Sequence, residues 1–287
     1  MFTVAFLLAV LTANPSSIPS QIPPAIYTDP VQDPAHPARM EVLHIPSGDL
    51  EINGVAYLAA GAGPHPTVII CHGLPGNEKN LDLAQTLRRA GWNAITFNYR
   101  GSWGSPGIYR FAQNPDDVAA VIAYLRNPAN NARLGINTSR LVVAGHSMGG
   151  WSAALAAVHD KGLNGIILIS AANMGAVGRL PADAVVGIMA DGMESLAGTT
   201  PTKLAEETQA NAEANDFLRS ATSLAEMPLL VLSSDDGLAE QTDALVAAIS
   251  MAGGKQVATV HVATDHSWSD SRIRLQTEIL SWLSKLK

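Results

Sequence analysis

Gly145-His146-Ser147-Met148-Gly149-Gly150 decides how this chain reads. Before it stands an apolar run, Leu141-Val142-Val143-Ala144, with the pattern of a buried strand; after it, residues 151–158 are alanine-rich and read as a helix. A G-x-S-x-G string between strand and helix predicts a nucleophile elbow. The turn is so tight that Gly145 and Gly149 must leave room for neighbouring backbone, and Ser147 is held strained with its hydroxyl exposed. Placement at a helix N-terminus surrounds that hydroxyl with unpaired N–H groups, which favour negative charge. The string alone arises by chance in loops rich in Gly and Ser. The strand–turn–helix context gives it meaning.

A serine hydroxyl is a poor nucleophile near neutral pH, so the chemistry demands a base, an orienting acid and oxyanion donors. Downstream, Met227-Pro228-Leu229-Leu230-Val231-Leu232 reads as a second buried strand and ends in Ser233-Ser234-Asp235-Asp236-Gly237. Residues 256–263 alternate towards a last strand that runs into Thr264-Asp265-His266-Ser267-Trp268. An acid after one strand and a histidine after the next give the chain order Ser…Asp…His. Chymotrypsin-like and subtilisin-like enzymes use other orders.

With these pieces the sequence resembles a serine hydrolase of the α/β-hydrolase superfamily, esterase- or lipase-like and near the prolyl-oligopeptidase-like branch. The resemblance runs from about Met40 to the C-terminus. It includes an H-G-x-P-G-like turn, His72-Gly73-Leu74-Pro75-Gly76, after the apolar run Val68-Ile69-Ile70-Cys71. It implies that the N–H groups of Leu74 and Met148 bind the oxyanion, and Leu74 can serve where Pro75, lacking an N–H, cannot. It also implies a catalytic acid a few residues past its strand, which favours Asp236 over Asp235; pattern alone does not separate the two. Asp265 reads as a loop-fixing residue, since neighbours in sequence usually point apart. In Asn98-Tyr99-Arg100-Gly101, many relatives have Asp where Asn98 stands, and Arg100 is expected to brace loops around the site. The catalytic set expected is Ser147, Asp236 and His266.

Other groups fit bland roles better. Cys71 is the only cysteine, so an intrachain disulfide is excluded, and it is expected to be an inert core thiol. His72 is expected to shape the oxyanion turn, while His146 is open to substrate contact or to packing. His36, His44, His65, His159 and His261 have no H-E-x-x-H or C-x-x-C companions, so no metal is expected. No cofactor is expected either: no G-x-G-x-x-G follows a strand and there is no Walker loop. Met148, Met174, Met189 and Met193 are open to lining an acyl pocket or to ordinary packing.

Composition agrees. The 287 residues suffice for one large α/β domain with an insertion, and 47% are apolar against 15% charged. A net charge of −7 argues against a nucleic-acid partner, and no interior run approaches a membrane span. Residues 2–13 and the following Asn14-Pro15-Ser16-Ser17 resemble the h-region and cleavage zone of a signal peptide, without a Lys or Arg before them. Secretion or a periplasmic location is therefore expected, with the cytoplasm as the alternative. Seven prolines from Pro15 to Pro37 predict an extended linker or an arm along the domain.

From residue 40 the organisation is regular. Residues 40–45 and 50–59 read as a β-pair around a turn at 46–49. Strand and helix signals then alternate: 67–71, a helix at 81–90, 94–99, a helix at 115–125, the elbow strand and helix, and 165–170. This predicts a mostly parallel, doubly wound sheet, the α/β-hydrolase fold, over residues 40–287. After Ser170 the pattern breaks until Met227. The insert, 171–226, has helix-like stretches at 182–193 and 201–218 and falls where relatives carry a cap; a purely decorative excursion is its other reading. The expected activity is metal-free hydrolysis of small carboxylic esters through an acyl-enzyme. Peptide, amide or thioester cleavage on the same fold is the alternative. Longer peptidases of the related branch use a large N-terminal domain for which this chain has no room. From another class, a non-catalytic binding module remains open, since a fold does not dictate function.

Overall fold

Aliphatic and β-branched runs build an eight-stranded sheet: β1 Arg39–Ser47, β2 Leu50–Leu58, β3 His65–Cys71, β4 Asn93–Phe97, β5 Ile136–His146, β6 Gly165–Ile169, β7 Leu229–Ser234 and β8 Val257–Val262. The structure, a computed structural model, describes residues 21–286. The apolar segment at 2–13 and the cleavage zone at 14–17 lie outside the described residues. Strand order is β1-β2-β4-β3-β5-β6-β7-β8, with β1–β2 and β2–β4 antiparallel and the rest parallel.

The inner strands are apolar on both faces because both are covered by helices. Val68, Ile70, Val142, Ile167, Leu230 and Leu232 face α1 (Leu81–Arg89) and, beyond the insert, the C-terminal helix at Arg272–Leu283. The alternate residues, Ile69, Val143, Leu168 and Val231, face α2 (Asn114–Arg126) and the elbow helix at Met148–Ala157. A short polar helix, α3 (Pro128–Leu134), leads into β5 and makes the elbow helix α4. The insert carries α5 (Met174–Gly178), α6 (Ala182–Ala190), α7 (Pro201–Ala210) and α8 (Ala221–Leu224). After β7 come α9 (Ala239–Met251) and, past β8, α10, the helix at Arg272–Leu283.

Several details differ from the sequence expectation, among them the helix expected at 182–193, which ends at Ala190 before Gly192 turns the chain with φ 73°. The first turn is only Gly48-Asp49, because Pro46 is accommodated in the edge strand β1 with its side exposed to solvent. The elbow helix starts at Met148, immediately after the serine. The helix expected at 201–218 ends at Ala210, where Asn211 takes the Glu207 carbonyl with both its backbone N–H and its side-chain amide and the Ala212 N–H slips to the Gln209 carbonyl. Those partners turn the chain out of helical register.

The N-terminal arm lies along the domain where it is described. A 3-10 turn at Pro24–Ile26 packs on α1, and Arg89 donates to the Ala25 and Ile26 carbonyls at 2.6 and 3.2 Å. No helix among the described residues is long and apolar enough to cross a membrane.

Candidate active site

The parallel strands bring their carboxyl ends to one edge. Register places Cys71 beside Gly145, His146 beside Ile169, and Ser234 beside Val262. Everything just past these ends therefore converges, as ligand sites in open α/β sheets do.

Ser147 follows β5 with φ 57° and ψ −127°, a conformation that costs a non-glycine residue energy and that the surrounding backbone must impose. The enforcing contacts are close approaches on either side. A Cβ on Gly145 would overlap the Gly149 carbonyl, and one on Gly149 would overlap the Cys71 carbonyl. The elbow backbone is tied in turn, with Ser147 N–H donating to Ile169 and the Ser147 carbonyl accepting from Gly150 and Ala172. Ser147 Oγ faces the His72–Gly76 turn: it is 3.4 Å from where a Cβ on Gly73 would stand.

His266 and Asp236 meet, with Nδ1 and Oδ2 2.7 Å apart. Asp236 is almost fully covered (3% exposed) and His266 is partly open (39%). Burial pushes the Asp236 carboxyl up, but donors from His266, the Leu238 N–H and Ser234 outweigh it and hold it at about 2. An ionised carboxylate only accepts, so Nδ1 carries the proton and Nε2 is left as a bare acceptor. Asp235 turns away: its carboxylate pairs with exposed His261 at 2.9 Å. Asp265 caps its own loop, accepting the Ser269 N–H at 2.8 Å.

The His72–Gly76 turn is shaped by buried His72. Its Nδ1–H meets the Gly73 carbonyl at 2.8 Å, and burial lowers its pKa to about 4. The Leu74 N–H follows directly, and the Met148 N–H is the first of helix α4, where no intrahelical acceptor exists. Trp103 braces the same turn through Nε1–H to the Pro75 carbonyl at 2.6 Å, with the Lys79 ammonium 4.1 Å above its ring. Lys79 also donates to Asn98 Oδ1 at 2.9 Å, so Asn98 serves as a neutral hydrogen-bond hub. Arg100 clasps buried Asp117 at 2.6 Å, and Ser47 and the Arg100 N–H complete the carboxylate's partners.

The remaining expectations find places too. His146 packs: burial, then the nearby His266, lowers its pKa to about 4, and its Nε2–H reaches the His266 carbonyl at 2.8 Å. Met148 points its sulfur at Asn114 and Ser152 in the core, and Met189 is fully buried. Burial pushes the Cys71 thiol up to about 12, so it stays protonated. Among the described residues no group of His, Cys, Asp and Glu is arranged to hold a metal ion. Sequence reasoning overlooked Ser170, Ser234 and Trp268, which share a buried hydrogen-bond cluster beside Asp236. Single serines at strand ends have no spacing that marks them.

Comparison with known proteins agrees with the architecture. No curated protein matches this sequence. Among solved structures, an esterase of Pyrobaculum calidifontis superposes with a TM-score of 0.65 at 17% identity, over 87% of this chain and 86% of its own. The acylaminoacyl peptidase of Pyrococcus horikoshii gives 0.65 at 16% identity, over 87% of this chain and 42% of the peptidase. A puromycin hydrolase gives 0.62 at 20% identity, over 90% and 40%. At these identities the likeness establishes the α/β-hydrolase fold. The sequence model of the serine aminopeptidase S33 family matches residues 62–223, more than half of the chain. This protein belongs to that family of α/β hydrolases.

Proposed function

We propose that the chain is a serine hydrolase that cleaves small carboxylic esters through an acyl-enzyme. The observation that carries this reading is the Asp236–His266 hydrogen bond beside a strained elbow serine. In the proposed cycle Ser147 Oγ attacks the acyl carbon while His266 Nε2 takes its proton. The Leu74 and Met148 N–H groups receive the oxyanion, and losing one such donor typically raises a barrier by about 3 kcal/mol. His266 then returns the proton to the departing alcohol. Water, deprotonated by the same imidazole, attacks the acyl-serine and regenerates the hydroxyl. Asp236 holds the imidazole in its working tautomer and offsets the imidazolium charge.

Ester cleavage is the least demanding chemistry for such a set, since an alcohol leaves more readily than an amine. The esterase of Pyrobaculum calidifontis, matched over most of both chains, supports the ester reading. The family's aminopeptidase name and the acylaminoacyl peptidase and puromycin hydrolase support amide cleavage as the second reading. A panel of p-nitrophenyl esters and aminoacyl anilides tests both, with a fluorophosphonate probe as the prior step. Ester turnover with labelling at Ser147 is expected. Anilide turnover at higher kcat/KM would install the second reading, and an unlabelled, inactive protein would return the chain to a binding role.

A further inference from the structure

Three non-glycine residues at the site edge hold positive φ: Ser147 at 57°, Ser170 at 43° and Trp268 at 59°. Ser147 is the elbow serine, and the other two meet. Trp268 Nε1–H donates to Ser170 Oγ at 3.1 Å, and Ser170 Oγ lies 2.7 Å from Ser234 Oγ. All three side chains are buried. Ser234 precedes Asp236 by two residues and Trp268 follows His266 by two. Ser170 stands between them at the end of β6, its N–H fixed on the Leu232 carbonyl at 2.7 Å. The hydroxyl pair thus spans from the loop of the carboxylate to the loop of the imidazole.

The direction of this chain follows from its two ends. An indole N–H only donates and an ionised carboxylate only accepts. Ser170, accepting from Trp268, has its own proton to give to Ser234. Ser234, accepting that proton, has its hydroxyl proton left for Asp236. The reverse order would leave the Ser170 hydroxyl proton unplaced and take one donor from a buried carboxylate, which is costly. Ser234 is accordingly among the donors that hold the Asp236 carboxyl low against its burial. Aligned bonds of this kind polarise one another.

We propose that Ser170 and Ser234, with Trp268 as terminal donor, are positioning residues: a one-way hydrogen-bond chain that aims the Asp236 carboxylate at His266 and locks the two loops together. The inference rests on the assignment of Ser147, Asp236 and His266 made above. All three side chains lie buried beneath the site surface. They act through the acid.

The test uses Ser234→Ala and Ser170→Gly in the full chain. Glycine adopts φ 43° more readily than serine, so the second variant removes the hydroxyl while easing the backbone. Each variant is expected to lose about tenfold in kcat for a p-nitrophenyl ester with KM little changed. The acid limb of kcat/KM against pH should move to higher pH, because a carboxylate short of one donor stabilises the imidazolium more. A merely structural role would leave that limb in place. The ring Nδ1–H resonance of His266, read by proton NMR, should shift in both variants. Folded variants with wild-type kcat, limb and resonance would overturn the proposal. If Ser234→Ala does not fold, Ser170→Gly decides alone. If the wild type cleaves neither esters nor anilides, the functional reading fails, and the resonance still decides the hydrogen-bond chain.

Discussion

Ser233-Ser234-Asp235-Asp236 offers two carboxylates, and the difference between them is where β7 stops. Asp235 leaves the strand end towards exposed His261, while Asp236 turns inward to His266. Asp236→Asn is therefore expected to cut ester turnover about 10⁴-fold, since an amide presents the wrong tautomer to the imidazole. Asp235→Asn should be mild. A reversed pair of phenotypes in steady-state kinetics would move the acid. Ser147→Ala and His266→Ala should each abolish turnover, and the double variant should be hardly worse, because such residues act as a unit. The Asp236 carboxyl, held at about 2, stays ionised well below the ordinary carboxylate range, so kcat against pH should show no carboxylate limb near 4. Stability has its own pH dependence, set by His72 and His146, both lowered to about 4 by burial. Between the ordinary histidine value of about 6.5 and 4 the unfolded chain binds these protons and the folded chain does not, so stability falls as pH drops through that window. The loss is on the order of a few kcal/mol for the pair. Chemical denaturation at pH 7 and pH 4.5 would measure it. His146→Asn should remove about half of the difference, and an undiminished slope would show that another group titrates.

Elements were legible where burial on both faces gave continuous apolar runs. Val68-Ile69-Ile70, Leu141-Val142-Val143 and Leu229-Leu230-Val231-Leu232 leave little choice but inner strands of a parallel sheet, and the candidate residues Ser147, Asp236 and His266 lie just past strand ends. Less legible were the elements whose partners are remote. The first residues of β5, Ile136-Asn137-Thr138-Ser139-Arg140, look like a loop, and only the His65–Ile136 pairing across a bulge draws them into the sheet. Helix α3, Pro-Ala-Asn-Asn-Ala-Arg-Leu, has almost no apolar face, and is set by the Asn127 cap and by Gly135 at its end with φ 62°. Trp103 is a similar case, since its indole donates to the remote Pro75 carbonyl. Trp103→Phe keeps the ring and the stacking of Lys79 but frees that carbonyl. The expected result is a lower kcat with KM nearly unchanged, since the Leu74 N–H then drifts from the developing oxyanion. Stopped-flow acylation rates would check it, and a pure KM effect would assign Trp103 to substrate binding instead. The Arg100–Asp117 clasp belongs to the same scale. Burial pushes the Asp117 carboxyl up despite its three donors, so Arg100→Leu, which removes its cation, should destabilise the fold by about 3 kcal/mol, read as a lowered Tm.

At the scale of the whole molecule the question is what the insert does to the site. The break after Ser170 was visible in sequence, but not how its helices attach. Antiparallel bonds stitch it to the loop after β4: Ala197 N–H to Gly101, Trp103 N–H to Ser195, and a Ser102–Leu196 bridge. The turn at Met193–Ser195 also approaches the His72–Gly76 turn, with Ser195 Oγ 3.4 Å from the Pro75 carbonyl. An insert joined this way cannot swing free without breaking the brace on Pro75. Two of its three methionines, Met189 and Met193, divide accordingly. Met189 is fully buried in the main apolar core, which also holds Val185 and Leu204. Met193 is partly buried on the stitched turn and packs at the edge of that core. If the insert caps Ser147, Met193→Trp should shift preference towards shorter acyl groups, since a thioether adapts to chain shape and an indole does not. Met189→Trp should instead overpack the interior, costing about 1–3 kcal/mol of stability with the chain-length profile kept. The measurement is kcat/KM for ester substrates from acetate to laurate, with thermal unfolding of each variant. The rate of inactivation by a small organophosphate serves as control and should hardly change, because Ser147 and His266 lie outside the insert. An unaltered profile in a folded Met193→Trp protein, with inactivation equally unaltered, would leave the insert no part in selecting substrate.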